Sequence, residues 1–192
     1  MFNEVKITKE MLDMAIQRDV EAGPAFKGAS IEGGKGRFYG FLGEEIVLAT
    51  IPGTVLENTK NYDLKIGNVT FDVKTKTRKD PPKAWYDASV DKSSSHQTPD
   101  FYIFVQILAP QNLIRLSAEE IRNFQYQKAW ILGFISRKDF YAAPPTFFTA
   151  GSTDPSNGIT YRDSIYLLKC GKLSDSNKLV NTAKTIELLR QT

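Results

Sequence analysis

The chain is poor in the residues that most often announce a site. Of 192 residues, one is cysteine (Cys170) and one is histidine (His96). A lone cysteine allows no intramolecular disulfide, so the core must hold without bridges and a reducing compartment is the natural reading. The same scarcity excludes zinc sites built from several His or Cys ligands, the HExxH class included. No apolar run approaches the ~18 residues of a membrane span. The N-terminus, MFNEVKITKEML, mixes charges and has no apolar h-region, so it does not read as a signal peptide. A soluble, intracellular (cytoplasmic) protein is expected, with no membrane partner. No internal repeat is visible. Net charge is only +3, too small an excess to imply a polyanionic partner by itself.

What is present is globular. Hydrophobic residues make up 41%, aromatic residues 11% and charged residues 24%, which excludes a disordered tail, a collagen-like chain and a coiled-coil rod. The length suits one domain over 1–192.

Thr8 caps a predicted helix over 9–22, which Gly23 and Pro24 end. A glycine-rich loop spans 27–36 and a second helix is predicted over 37–50. Two strands, 62–66 and 69–75, flank Gly67-Asn68, a two-residue hairpin signal. A third strand is predicted over 84–90 and a loop over 92–99. The runs FYIFVQIL (101–108) and KAWILGFIS (128–136) read as buried strands, making Tyr102, Phe104, Trp130 and Phe134 core residues. Short helices are expected at 117–124 and just after Ser136, a late strand or hairpin within 159–173, and a helix from about residue 177. The fold class is α/β (α+β), a mixed sheet flanked by helices.

The hairpin carries the chemistry. If Ile66 faces Val69 across a two-residue turn, Asp63 falls opposite Asp72 and Asn61 opposite Lys74. Side chains so paired stand about 4.5–5.5 Å apart at Cβ. Two carboxylates that close repel, and solvent, a shared proton or a cation must relieve them. Alternation puts Asp72, Lys74 and Lys76 on one face and Val69, Phe71, Val73 and Thr75 on the core face. A hard divalent cation takes carboxylate oxygens, waters and phosphate oxygens. A neighbouring lysine can orient water or stabilise developing charge. This pattern suits phosphodiester hydrolysis; an ordinary solvated hairpin is the competing reading.

Asp63, followed after a turn by Asp72-Val73-Lys74, resembles the signature of the PD-(D/E)xK nuclease superfamily. Gly40-Phe41-Leu42-Gly43-Glu44 resembles the helix acid of its Holliday-junction resolvase and phage nuclease branches. The likeness covers about residues 37–108, with a looser echo at 130–140. Tyr62 stands where that family usually has proline. The resemblance implies a restriction-endonuclease-like core (about 37–140), elaborated by 159–192, in a phage or microbial protein. It implies a Mg²⁺-dependent deoxyribonuclease, with Mn²⁺ able to substitute; endonuclease is favoured over exonuclease, and the choice between them stays open. Asp63, Asp72 and the Val73 carbonyl would hold the metal, Glu44 a second metal or its water, and Lys74 would position the attacking water. Lys76, Arg78, Lys79 and Lys83 would contact DNA phosphates. Whether a homodimer makes a double cut stays open. A nucleic-acid-binding protein that does not cut is the alternative, and a structural protein with a charged hairpin a third reading.

Helical periodicity and the family pattern disagree about the helix acid. Periodicity puts Phe38, Phe41, Leu42, Glu45, Leu48 and Ala49 on one stripe, with Glu44 at its edge. The family pattern selects Glu44, and Glu45 is the runner-up.

The loop Gly28–Lys35 is a near miss for a phosphate-binding P-loop: an extra glycine precedes the lysine and Gly36 follows it. Nucleotide binding there is rejected. Glycines permit close approach to a backbone, so Lys27, Lys35 and Arg37 are candidates for DNA contact, against a plain linker. His96 lies in a serine-rich loop and reads as solvated rather than as a proton carrier. No nucleophile-elbow pattern supports a Ser-His-Asp triad. Cys170 reads as a small buried hydrophobe.

Overall fold

A computed structural model describes residues 2–23, 36–57, 59–109, 128–142 and 146–190. The elements are β1 (Asn3–Lys6), α1 (Lys9–Glu21), α2 (Gly36–Thr50), β2 (Val55–Leu56), β3 (Leu64–Ile66), β4 (Val69–Arg78), β5 (Asp87–Asp91), β6 (Phe101–Leu108), β7 (Lys128–Ser136), α3 (Arg137–Ala142), β8 (Thr146–Phe148), β9 (Ile165–Lys169) and α4 (Leu179–Arg190). The expected helix over 117–124 and the loop carrying Lys27 and Lys35 lie outside the described residues.

Six strands form a mixed sheet in the order β1-β7-β6-β4-β3-β2. Its centre is the parallel pair β4–β6, which registers Asp72 with Tyr102 and Lys74 with Phe104. All other neighbours are antiparallel. A smaller antiparallel sheet, β5-β9-β8, is a second unit of pairing that sequence reading did not anticipate.

Alternation along β4 decides which face each side chain meets. Val69, Phe71 and Val73 join Ile103, Val105 and Ile107 of β6 in a core with Phe38, Leu42 and Ile46 of α2. On the opposite face, Tyr102 and Phe104 of β6 and Trp130 of β7 join Ala88, Val90 and Leu168 of the small sheet, with Cys170 and Phe140. The expected surface bearing Asp72, Lys74 and Lys76 is therefore no open strand face. The small sheet packs over the same side, and Asp72 is only 2% exposed.

The helices begin and end on local signals. The Thr8 hydroxyl accepts from the Met11 N–H at 3.3 Å, capping α1. Gly23 turns out of it at φ +59°. Arg37 then ties the start of α2 to the end of α1: it donates to Asp19 Oδ1 (2.6 Å), the Asp19 carbonyl (2.7 Å) and the Gly23 carbonyl (2.7 Å). In α2 the buried stripe is Phe38, Tyr39, Leu42, Ile46 and Val47, while Ala49 is exposed. The helix is thus rotated from the stripe that periodicity alone predicts. Gly43 explains the rotation. A Cβ there would stand 1.9 Å from Thr75 Oγ1, so the bare backbone turns toward β4 and carries the next residue, Glu44, to the sheet.

Two boundaries differ from expectation. Ala84–Tyr86 is a turn, closed by the Tyr86 N–H on the Lys83 carbonyl at 2.9 Å, and the strand starts at Asp87. The loop after β5 holds a 3-10 turn, Lys92–His96. Among the described residues no helix is long and apolar enough to cross a membrane.

Candidate active site

The hairpin register holds as far as the ladder runs: Ile66 faces Val69, Lys65 faces Thr70 and Leu64 faces Phe71. There it stops. The Asp63 N–H reaches the same Phe71 carbonyl (2.9 Å), and the Asp63 carbonyl accepts from the Glu57 N–H (2.9 Å). Asp63 is therefore not the cross-strand partner of Asp72, nor Asn61 of Lys74. A break in register re-aims the side chain. The Asp63 carboxylate folds along the edge of β4 and accepts the Val73 N–H at 2.8 Å.

That bond also places the Val73 carbonyl. Within a strand the N–H and C=O of one residue point to the same side. On β4 the Thr70 and Arg78 carbonyls accept bonds from Asp100 and Ala109, on the β6 side. Phe71 and Val73 consequently face the β3 side, and β3 ends before reaching Val73. The Val73 carbonyl lies on that edge beside Asp63.

Glu44, Asp63 and Asp72 meet electrostatically here. Burial raises the Asp63 pKa well above the ordinary carboxylate value; repulsion from Glu44 and Asp72 and a hydrogen bond shared with Asp72 add to it. Glu44, 6% exposed, is also raised, again chiefly by burial, against the opposing pull of Arg18. Of the three remedies for crowded acids, solvent is excluded for Asp72. A shared proton or a cation remains.

Cations of the chain itself supply part of the relief. Arg18 of α1, buried and stacked over the Phe41 ring at 4.5 Å, binds Glu44 and reaches Glu45 Oε1 at 2.9 Å. Lys74 Nζ stands 2.8 Å from Asp72 Oδ2 and donates to Gln97 Oε1 at 3.1 Å. Asp72 Oδ2 thus has a charged partner, and the three acids still repel one another. Among the described residues no three His, Cys, Asp or Glu side chains stand close enough to form a ready-made metal cluster. The donor set nonetheless fits a hard cation: the carboxylates of Asp63 and Asp72 and a backbone carbonyl on a strand edge.

Sequence reasoning missed Arg18 and Gln97. Arg18 carried a signal, since it follows Met11 and Ala15 at helical spacing on the apolar side of α1. Gln97 had none; a turn after β5 brings it to Lys74. His96 is exposed and its Nδ1 lies 2.6 Å from the Ser93 carbonyl, a contact within its own turn.

The expected DNA-contact residues separate. Lys79 and Lys83 are exposed. Lys76 and Arg78 are half-buried and point at the Asp87 carbonyl, at 3.4 and 3.5 Å. Burial, with Arg78 adding to it, lowers the Lys76 pKa to about 8. Arg37 is engaged at the α1–α2 junction, and Lys35 lies outside the described residues.

Comparison with protein-family models, with curated proteins and with solved structures gives no match.

Proposed function

We propose that this protein is a divalent-metal-dependent DNA nuclease, cutting phosphodiester bonds endonucleolytically on a restriction-endonuclease-like core. One observation carries the reading: the fold brings the carboxylates of Glu44, Asp63 and Asp72 together at the edge of β4, where Asp63 lies against Val73 and the pairing of Arg18 with Glu44 and of Lys74 with Asp72 leaves part of their repulsion unrelieved. Asp63, Asp72 and the Val73 carbonyl would hold Mg²⁺ or Mn²⁺, and Glu44 a second ion or an ordered water. When bound, such an ion polarises the phosphate and lowers the pKa of an attacking water. The chain's own residues do the rest. Lys74, steadied between Asp72 and Gln97, presents an ammonium to the water or to the negative charge that develops on phosphate. Arg18 holds Glu44 and Glu45 in place on α2. Lys79 and Lys83 supply phosphate contacts whose strength falls with salt.

The test incubates the protein with supercoiled, linear, single-stranded and four-way-junction DNA. Cutting with Mg²⁺ or Mn²⁺ and none in EDTA is expected. Robust cutting in chelator would overturn the metal mechanism. A second reading, a nucleic-acid-binding protein that does not cut, is favoured by the pairing of Arg18 with Glu44 and Lys74 with Asp72, which neutralises acids without an ion. Binding with no cutting under every condition would select it.

A further inference from the structure

The loop after β4 holds a feature that phosphodiester chemistry does not use. Trp85 is 66% exposed, whereas the other tryptophan, Trp130, is 6% exposed in the core. Leaving an indole so exposed forgoes much of the stabilisation its burial would bring. The neighbours of Trp85 are basic and aromatic. Lys83 Nζ lies 5.3 Å from its ring centroid and 5.7 Å from that of Tyr86. The Arg78 guanidinium lies over the other aromatic, Tyr86, at 4.4 Å. The exposed Lys79 is next in sequence.

The platform is held in shape. Pro81 and Pro82 restrict the backbone. Buried Gln106 donates to the Asp80 carbonyl at 2.8 Å. The Cys170 and Gly171 N–H groups donate to the Tyr86 and Ala84 carbonyls, each at 2.8 Å. A rigid exposed ring loses little entropy when something stacks on it. Arg78 at the platform is six residues along β4 from Asp72 at the acidic end, about 20 Å of extended strand.

We propose that Trp85, flanked by Lys83 and Lys79, is a stacking platform for an unpaired base of single-stranded DNA. An exposed aromatic face with cations beside it matches the two parts of such a ligand, a base π-face and a phosphate. Duplex DNA offers phosphates but keeps its base faces stacked inside, so it engages the lysines only. The inference rests on the nucleic-acid reading above and narrows it: the substrate carries a single-stranded segment, such as a flap, gap or frayed end.

The experiment measures binding of the full-length protein in EDTA, where no metal-dependent cutting intervenes. A labelled thymidine homopolymer is compared with a blunt hairpin duplex by anisotropy, while tryptophan emission is followed. The homopolymer should quench the emission of Trp85 and the duplex should not; buried Trp130 contributes a constant background. Trp85→Ala should weaken homopolymer binding roughly tenfold and leave duplex binding unchanged. Trp85→Phe, which keeps a smaller π-face, should recover part of the loss. Lys83→Ala should lower the slope of log affinity against log salt by about 0.7 for the single strand. Equal homopolymer affinity in wild type and Trp85→Ala, or binding without quenching, would overturn the platform. Stacking without any Mg²⁺-dependent cutting would leave the platform standing and remove the nuclease. Cutting with unchanged Trp85→Ala binding would do the reverse, and no binding to either DNA would remove the platform.

Discussion

The two faces of the six-stranded sheet are built from the same strands and solve different problems. Under the helices, Val69, Phe71 and Val73 meet Leu42 and Ile46 in an apolar layer. On the other face, the alternate residues Asp72, Lys74, Lys76 and Arg78 run beside an aromatic cluster of Tyr102, Phe104 and Trp130, on the side where the small sheet packs. The helical face is what dispersion and the hydrophobic effect would select. The other face buries charge at a cost that packing does not return. Apolar packing is concentrated on one side of β4, and the charged side chains of the strand itself are on the other.

Neighbouring residues of β4 should therefore fail differently. Phe71→Ala should cost about 3–5 kcal/mol of folding stability, as large core truncations do. Asp72→Asn should instead cost about a hundredfold in Mg²⁺-dependent cleavage, ~2.7 kcal/mol of barrier, with a melting temperature equal to or above wild type. Thermal melts alongside plasmid nicking check both. An Asp72→Asn protein that cuts normally, or that unfolds like Phe71→Ala, would break the contrast.

A smaller effect separates the two helix acids. Glu44→Gln should lower cleavage about tenfold, ~1.4 kcal/mol, and Glu45→Gln much less. Of the two, Glu44 acts on Asp63, while Glu45 meets the cluster through Glu44 and Arg18. Initial rates at saturating Mg²⁺ decide it, and the opposite ranking would transfer the role to Glu45.

The acidic end also predicts a pH response. The folded-state pKa values of Asp63 and Glu44 are raised, so the folded protein holds more protons than the unfolded chain above about pH 4. Stability without metal should accordingly fall as pH rises from about 4 toward neutrality. Asp63→Asn should flatten that fall, and Mg²⁺ should offset it at pH 7. Denaturant melts in EDTA across this range provide the measurement; a stability that climbs with pH in wild type, steepened by Asp63→Asn, would contradict the cluster.

The smallest effect belongs to Lys76. Its folded pKa is lowered to about 8, so the penalty for burying its charge is complete below pH 8 and disappears as pH rises through the unfolded value near 10.4. Lys76→Met should raise the melting temperature slightly at pH 7 and have a diminishing effect toward pH 10. A constant difference across that range would place the effect in packing rather than charge.

Much of this molecule was legible in residue order. Thr8, Gly23 and Gly67-Asn68 end or turn elements by local sterics and capping, and the runs at 101–108 and 128–136 are too apolar to lie anywhere but in a core. Alternation alone assigned Phe71 and Asp72 to opposite faces. Other features were illegible because no nearby residue records them. The strands β1, β2 and β8 are two to four residues long, too short for a periodic signal. The rotation of α2 depends on Thr75, far along the chain, meeting a bare backbone at Gly43.

Residue order is enough to put acids, a lysine and a glycine-flanked glutamate in a hairpin and the helix before it, because local conformation follows local composition. How they meet was set by packing between distant elements. It ended β3 at Leu64, so Asp63 turned onto Val73 instead of facing Asp72; it packed a second sheet on the side that alternation had left for solvent; and it brought Arg18 and Gln97 from distant elements to the charges. These contacts depend on which surfaces fit together when the chain closes. That fit depends on pairs of residues far apart in sequence, and no local pattern encodes it.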